Sequence, residues 1–285
     1  MRISGTSQRR FRASRWGAAV LAASATVSAL AAVAAQADGP GGDPDPKLPT
    51  VVLVHGAFTD ASSWSGVVER LQRNGYKVIA AANPLRGIPQ DSTYLASLLK
   101  SVKGPVILAG HSYGGEVISQ AAVGNAQVKA LVYINALMPD VGESFTTLTA
   151  KFPPAELTKA LKKVPFRNGD GTSGTDVYVR ADKVHRAFAQ DLPVQKTDVL
   201  AASQRPLALN AFTDKLTKVA WHDKPVYALV SRQDRSIDPG LERFEAKRAH
   251  ARKTVEIDSS HVAPVSHPQE VEDLIVQAAK DSMQS

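Results

Sequence analysis

Short runs dominated by apolar and β-branched residues recur along the chain. Runs of four or five such residues are typical of strands that are buried on both faces of a parallel sheet. The sequence contains six of them, and each predicts a strand: Val51–Val54, Val78–Ala81, Val106–Ala109, Ala130–Ile134, Val226–Val230 and Thr254–Ile257.

Between these runs, apolar residues repeat at helical spacing. Over residues 61–73 they fall on one face, with Asp60 before the segment as a helix cap and Gly75 after it as a stop. Strands that alternate with helices imply a doubly wound, mostly parallel sheet of about six strands with helices on both faces, an α/β fold. Two further helices are predicted to start near Asp91 and at Pro268, the first with these inward residues: Tyr94, Leu95, Leu98, Leu99 and Val102.

The alternation stops between about residues 140 and 220. Aromatic residues and a glycine-rich turn fill this stretch, which shows no strand-helix repeat. We predict that residues 140–205 form an inserted cap over the carboxyl ends of the strands, where open α/β sheets bind their ligands. Residues 50–139 and 206–285 then form the core. A long helical connection is the alternative to a cap.

Residues 1–37 have the three parts of an export signal. Arginines lie near the start, an uncharged run covers residues 16–35, and residues 35–37 read A-Q-A, a small-residue cleavage site. An arginine pair near the start resembles a twin-arginine signal. We expect cleavage before Asp38, a flexible leader over residues 38–49, and a secreted or periplasmic mature protein. Retention of the uncharged run as a membrane anchor is the alternative.

The charge and the absence of cysteine exclude several classes of partner, cross-link and metal site. The formal net charge is +7, but the first 37 residues hold five arginines and no acid, which leaves 29 basic and 27 acidic residues elsewhere. We therefore expect no nucleic-acid partner. The absence of cysteine excludes disulfides, thiolate metal sites and lipid attachment at an N-terminal cysteine. No His/Asp cluster has ligand spacing, so we predict no metal or organic cofactor, and no stable membrane association after signal removal.

The stretch G-H-S-Y-G-G at residues 110–115 is the centre of the candidate chemistry. It lies between a predicted strand and a predicted helix. A serine at the tip of a sharp strand-to-helix turn exposes its hydroxyl, and small neighbours let strand and helix approach each other. Gly110 and Gly114 meet that need, so the pattern predicts a nucleophile elbow with Ser112 at its tip. A glycine-rich loop that only closes a strand is the alternative.

Two more motifs give the chain a resemblance to the α/β-hydrolase superfamily over about residues 50–280. H-G-A-F at residues 55–58 follows the first predicted strand, where the family places its oxyanion loop, and S-S-H at residues 259–261 follows the last. With the elbow, these motifs resemble most closely the small serine esterases related to plant hydroxynitrile lyases and methyl-ester hydrolases.

The resemblance implies a role for particular residues. The family's chain order of serine, acid and histidine matches Ser112, Asp234 and His261. The serine would attack, the histidine would remove its proton, and the acid would orient the imidazole. The oxyanion hole would consist of the backbone N–H groups of Ala57 and Tyr113. Three phenylalanines are the candidates for substrate contact: Phe58, Phe145 and Phe188.

Other acids and histidines are interpreted as structural. Asp258 lies only three residues before the candidate histidine, and Asp238 precedes a proline deeper in its loop, so both are predicted to be solvated turn residues. His55 and His111 flank functional backbone, and we expect them to hold loops by hydrogen bonds.

These features predict an exported serine hydrolase that cleaves small, largely apolar carboxylic esters or lactones through an acyl-enzyme. Two alternatives use the same triad: a ligand-binding protein with poor turnover, and a cofactor-free perhydrolase. Cyanohydrin cleavage is disfavoured. The plant lyases carry a lysine after the catalytic histidine, a threonine in the oxyanion loop and a glutamate before the serine, where this chain has Val262, Gly56 and His111.

Overall fold

Six strands form one parallel sheet, as the sequence predicted. The computed structural model describes residues 44–45 and 47–284. Nine strands occur in that part of the chain: β1 (Thr50–Val54), β2 (Val78–Ala81), β3 (Val106–His111), β4 (Val128–Ile134), β5 (Leu161–Arg167), β6 (Ser173–Val179), β7 (Leu207–Ala208), β8 (Val226–Ser231) and β9 (Lys253–Ile257). The parallel sheet has the order β2-β1-β3-β4-β8-β9, and its six strands are the predicted ones.

Helices follow most strands of this sheet. Within the described residues they are α1 (Ser65–Arg73), α2 (Ile88–Ser101), α3 (Tyr113–Ala121), α4 (Phe145–Thr149), α5 (Glu156–Ala160), α6 (Val184–Phe188), α7 (Val194–Ser203), α8 (Pro239–Arg248), α9 (Ala263–Ser266) and α10 (Pro268–Met283). Short 3-10 segments occur at Ala61–Trp64, Ala181–Lys183 and Leu209–Phe212.

Both faces of the parallel sheet are covered, because alternate residues of a strand point to opposite sides. Val51 and Leu53 of β1 belong to a core cluster with α1 and α10. Val52 and Val54 belong to a second cluster with α2 and α3. The doubly wound α/β architecture predicted from the sequence is confirmed.

The predicted helix boundaries hold at most ends. Asp60 accepts a hydrogen bond from the Ser62 backbone N–H at the start of the first helical segment, and Gly75 follows α1 with a φ of 79°. The second helix departs from the prediction, since α2 starts at Ile88. Tyr94, predicted to face inward, is 48% exposed. Leu95 and Leu99, one turn apart and also predicted to face inward, are buried.

The region between β4 and β8, residues 135–225 and called here the region after β4, contains a second sheet that the sequence pattern did not reveal. Strands β5, β6 and β7 form a three-stranded antiparallel sheet, and the predicted glycine-rich turn joins β5 to β6. Lys162 and Lys163 of β5 are exposed, so this strand contains no continuous apolar run. It is stabilised by pairing with β6, which no local pattern reports.

The predicted export signal, residues 1–37, lies outside the described residues. The predicted leader is described only near its end, where it already contacts the core. The backbone N–H of Asp45 donates to the Gly75 carbonyl oxygen at 2.9 Å, and Leu48 packs against the cluster formed by α1 and α10. Over the described ranges, no helix combines the length and apolarity needed to cross a membrane.

Candidate active site

Ser112 lies at the sharp turn between β3 and α3. Its backbone has φ 55° and ψ −126°, a conformation that costs a non-glycine residue about 1–3 kcal/mol. The turn is tight because strand and helix are in contact: a Cβ on Gly114 would lie 2.5 Å from the Val54 carbonyl oxygen, and one on Gly110 would lie 2.6 Å from the Gly114 carbonyl oxygen. The predicted need for glycine at both positions thus has a direct steric cause.

The structure brings Ser112, His261 and Asp234 together in one hydrogen-bond chain. His261 Nδ1 lies 2.6 Å from Asp234 Oδ2, and His261 Nε2 lies 2.8 Å from Ser112 Oγ. A carboxylate can only accept, so Nδ1 carries the proton and Nε2 is free to accept the serine hydroxyl proton. This is the tautomer that a general base requires.

The Asp234 carboxylate is fixed by backbone groups of its own loop. Its Oδ1 accepts from the N–H groups of Ser236 at 2.7 Å and Ile237 at 3.0 Å, which leaves Oδ2 directed at the histidine. The two alternative acids are engaged elsewhere. Asp238 accepts from the Gly240 N–H at the start of α8, and Asp258 pairs with the exposed Arg232.

Two buried histidines hold the backbone around the site. His111 Nε2 donates to the His261 carbonyl oxygen at 2.8 Å. The pKa of His111 is lowered to about 3, mainly because the ring is buried and secondly because His261 lies close to it. His55 Nδ1 donates to the Gly56 carbonyl oxygen, while its Nε2 accepts from the Asn83 backbone N–H. Burial lowers the pKa of His55 to about 4. Both rings are therefore neutral hydrogen-bonding groups at neutral pH.

Ala57 and Tyr113 lie beside Ser112 in the wall of one cavity. Tyr113 is the first residue of α3, where backbone N–H groups have no partner within the helix. Its hydroxyl donates to Asp91 Oδ2 at 2.7 Å. The loop that carries Ala57 approaches closely, since a Cβ on Gly56 would lie 2.6 Å from the Ser112 Cβ.

The cavity has a mainly apolar lining. Phe58 and Phe145 line it, as predicted for substrate contact, whereas Phe188 is not among the lining residues. Phe188 packs between the rings of Phe58 and His261, with centroid distances of 6.1 Å and 5.2 Å. The region after β4 supplies much of the apolar wall: Phe145, Leu157, Leu161, Leu207 and Phe212.

Two acidic residues at the site carried no recognised signal in the sequence. Asp191, from the predicted cap, accepts from the Ser260 backbone N–H at 2.9 Å and from the Ser259 hydroxyl at 3.1 Å, and so holds the loop before His261. Glu116 of α3 lines the cavity itself. Only its position as a charged residue in an apolar helical stretch could have marked it.

The described residues contain no group of three or more His, Asp or Glu side chains that could hold a metal ion. The hydrogen-bond chain of Ser112, His261 and Asp234 can supply a nucleophile, a base and a carboxylate that orients the base.

Comparison with known proteins gives consistent matches. The sequence profile described as the Alpha/beta hydrolase family matches residues 51–274. The alpha-hydroxynitrile lyase of Arabidopsis thaliana is 26% identical over 255 residues, covering 81% of this chain and 97% of that protein. Salicylic acid-binding protein 2 of Nicotiana tabacum is 24% identical over 244 residues, covering 77% of this chain and 93% of that protein.

Solved structures show the same fold. The crystal structure of polyneuridine aldehyde esterase matches with a TM-score of 0.71 at 21% identity, covering 81% of this chain and 98% of that one. At this identity the likeness concerns the fold.

Proposed function

The chain belongs to the α/β-hydrolase family, as its sequence motifs predicted, and we propose that it hydrolyses small, largely apolar carboxylic esters or lactones. The observation that carries the proposal is the unbroken hydrogen-bond chain from Asp234 through His261 to Ser112. Names among its relatives and structural neighbours, such as polyneuridine aldehyde esterase, support the same reaction class.

Acylation starts from the Ser112 hydroxyl. Its oxygen attacks the ester carbonyl carbon while its proton passes to His261 Nε2, because an un-ionised hydroxyl is a weak nucleophile. The imidazolium that forms is stabilised by the Asp234 carboxylate at Nδ1. The negative charge on the former carbonyl oxygen is stabilised by the backbone N–H groups of Tyr113 and Ala57.

The tetrahedral intermediate then loses the alcohol. His261 gives its proton to the leaving alkoxide oxygen, and the acyl group stays on Ser112 as an ester. A water molecule, deprotonated by the same histidine, attacks this ester. The proton returns to the serine oxygen, and the free acid leaves.

The lining of the cavity supports the proposal that the substrate is small and largely apolar. Aliphatic and aromatic side chains form most of its wall, and such surfaces bind acyl chains through the hydrophobic effect.

Esters of p-nitrophenol with increasing acyl length test this function. Ser112→Ala and His261→Ala are each expected to lower kcat by about 10⁶, and the double variant to be hardly worse, since the residues act as a unit. A burst of p-nitrophenol before steady turnover reports the acyl-enzyme. Tight binding without turnover by the unaltered protein would favour the ligand-binding alternative instead.

Cyanohydrin cleavage is the second candidate because of the Arabidopsis relative. Val262, which follows His261, is 1% exposed and part of the apolar core, so it offers no cation for a departing cyanide. We expect no cyanide release from mandelonitrile above a Ser112→Ala control. Ser112-dependent release at a rate comparable to ester hydrolysis would overturn the assignment.

Export is part of the same proposal. It is supported by the arginines, the uncharged run and the A-Q-A site within residues 1–37. Protein recovered outside the cytoplasm should have an intact mass that begins near Asp38. A full-length product bound to the membrane would contradict this.

A further inference from the structure

Glu116 is a buried carboxyl group without a hydrogen-bond partner in the wall of the candidate cavity. It lies on α3, four residues after Ser112, and is 1% exposed. Neither of its carboxyl oxygens has a hydrogen-bond partner among the described residues. It lines the same cavity as Ser112 and His261. Burying a carboxyl group without a hydrogen bond costs free energy, so a group that hydrogen-bonds to Glu116 would be stabilised there.

The surroundings of Glu116 favour its neutral form. Burial, and then the acidic neighbours Glu245 on α8 and Asp214 after the last 3-10 segment, raise the pKa of Glu116 well above its ordinary value. A neutral carboxylic acid has one O–H donor and remaining acceptor capacity. Its best partner is a group that also donates and accepts, and a hydroxyl is the smallest such group.

We propose that the substrate supplies this partner: beside the scissile ester it carries a hydroxyl group that pairs with Glu116. The proposal rests on the proposed ester hydrolysis and narrows its substrate class to hydroxylated esters. Because the rest of the wall is mainly apolar, one buried acid can discriminate between substrates. A site built to bind a hydroxyl discriminates strongly against the analogue that lacks it.

Matched esters in which a methyl group replaces the hydroxyl provide the test. On the acyl side the pair is p-nitrophenyl 3-hydroxybutyrate and p-nitrophenyl 3-methylbutyrate. On the alcohol side it is 2-hydroxyethyl butyrate and propyl butyrate. We expect the unaltered enzyme to favour the hydroxylated member of at least one pair in kcat/KM by about tenfold or more, the size of one hydrogen bond. Glu116→Leu should reduce that ratio to about one, and Glu116→Gln, which keeps a donor and an acceptor, should preserve most of it.

Glu242 provides a matched control. It is also a buried glutamate whose carboxyl oxygens lack hydrogen-bond partners, but it does not line the cavity. Glu242→Leu, the same change as Glu116→Leu, should leave the substrate ratio unchanged. Thermal unfolding gives a readout independent of turnover. Glu116→Leu should not lower Tm, because it removes an unpartnered group, whereas a structural role for Glu116 would require a fall.

Three outcomes would overturn the inference while the esterase assignment stands. The first is a ratio near one for both pairs in the unaltered enzyme, and the second is a ratio that Glu116→Leu leaves intact. A stronger preference for p-nitrophenyl 3-aminobutyrate, lost in Glu116→Leu, would also overturn it and indicate an ionised carboxylate. Absence of Ser112-dependent hydrolysis for every ester would contradict the proposed function, and this inference with it.

Discussion

The parallel sheet and the region after β4 contribute to the same cavity in different ways. Strands β1, β3 and β8 are buried along their entire length, whereas β5 alternates between half-buried and exposed residues. Ser112, Asp234 and His261 all follow strands of the parallel sheet. The region after β4 supplies apolar wall residues and the Asp191 carboxylate.

This difference separates the rate of the reaction from the choice of substrate in the candidate enzyme. Groups at the strand ends are held by backbone hydrogen bonds and close packing, so a change there should affect the reaction itself. Side chains from the region after β4 touch the space that a substrate would fill. A change there should affect which ester reacts, except where the side chain also supports a catalytic loop.

Among the changes that keep the nucleophile and the base, the largest effect is expected for Asp234→Asn. It removes the acceptor that fixes the His261 tautomer, and kcat should fall by about 10⁴ while the fold is kept. Asp238→Asn and Asp258→Asn are matched controls, because both acids bond elsewhere, and they should retain nearly full activity. Steady-state kinetics with circular dichroism checks this. Near-normal activity of Asp234→Asn, with loss in either control, would mean that the acid is misassigned.

Asp191→Asn tests whether the region after β4 supports the reaction as well as the substrate. The change weakens the hydrogen bonds to Ser259 and Ser260, so His261 should be less well placed and kcat should fall by about 10-fold to 100-fold. Asp182→Asn is the control, since Asp182 is an exposed carboxylate in the same region. If kcat is unaffected and only KM changes, the two regions are separate in function.

Stability is expected to depend on pH through the carboxyl group of Asp191. Burial works to raise the pKa of Asp191, but hydrogen bonds from Ser260 and its neighbouring serines outweigh it, and the pKa lies below its ordinary value. A lowered pKa means that the carboxylate stabilises the fold above the unfolded-state value of about 3.9, and that this contribution is lost as the pH falls. The Tm difference between the unaltered protein and Asp191→Asn should therefore be largest at neutral pH and shrink below about pH 4. A difference that is constant from pH 7 to pH 3 would contradict this.

The smallest effect is expected for Phe145→Ala, which removes a ring from the apolar wall and so enlarges the cavity. The ratio of kcat/KM for octanoate and butyrate esters should rise by about tenfold, with little loss on the best substrate. Phe188→Ala should behave differently, because Phe188 packs on the His261 ring and lies outside the lining. We expect it to lower kcat for every ester without changing the ratio. Identical ester profiles in both variants and the unaltered enzyme would contradict the assignment.

The parallel sheet could be predicted from the sequence because each of its strands is marked by a pattern of neighbouring residues. Each central strand is a short apolar run, and the elbow serine lies between a strand and a helix that are both visible in the sequence. The roles of Asp234 and His261 were implied by the family resemblance, and the structure places each residue after a strand of the parallel sheet. Their geometry agrees with that expectation.

The rest depends on contacts between distant positions. β5 carries exposed lysines and is defined by its pairing with β6, so no periodicity marks it. Asp191 is 69 residues from Ser260, and Asp191 shows no distinctive local pattern. Tyr94 lies at the edge of the arc formed by its inward neighbours on α2, and its side chain is 48% exposed, because helical spacing does not fix how wide the buried face is.

The contact between Gly56 and Ser112 has a consequence for how this protein can evolve. A Cβ at position 56 would lie 2.6 Å from the Ser112 Cβ, so a side chain there requires the elbow to shift, and the two positions are constrained together. Wall residues such as Leu157 and Leu207 lie on α5 and β7, outside the elbow and the loop after β1, and they can vary more freely. New substrate preferences should therefore arise by change in the wall, and a mutant library confined to the wall should yield more active variants than one that includes the elbow.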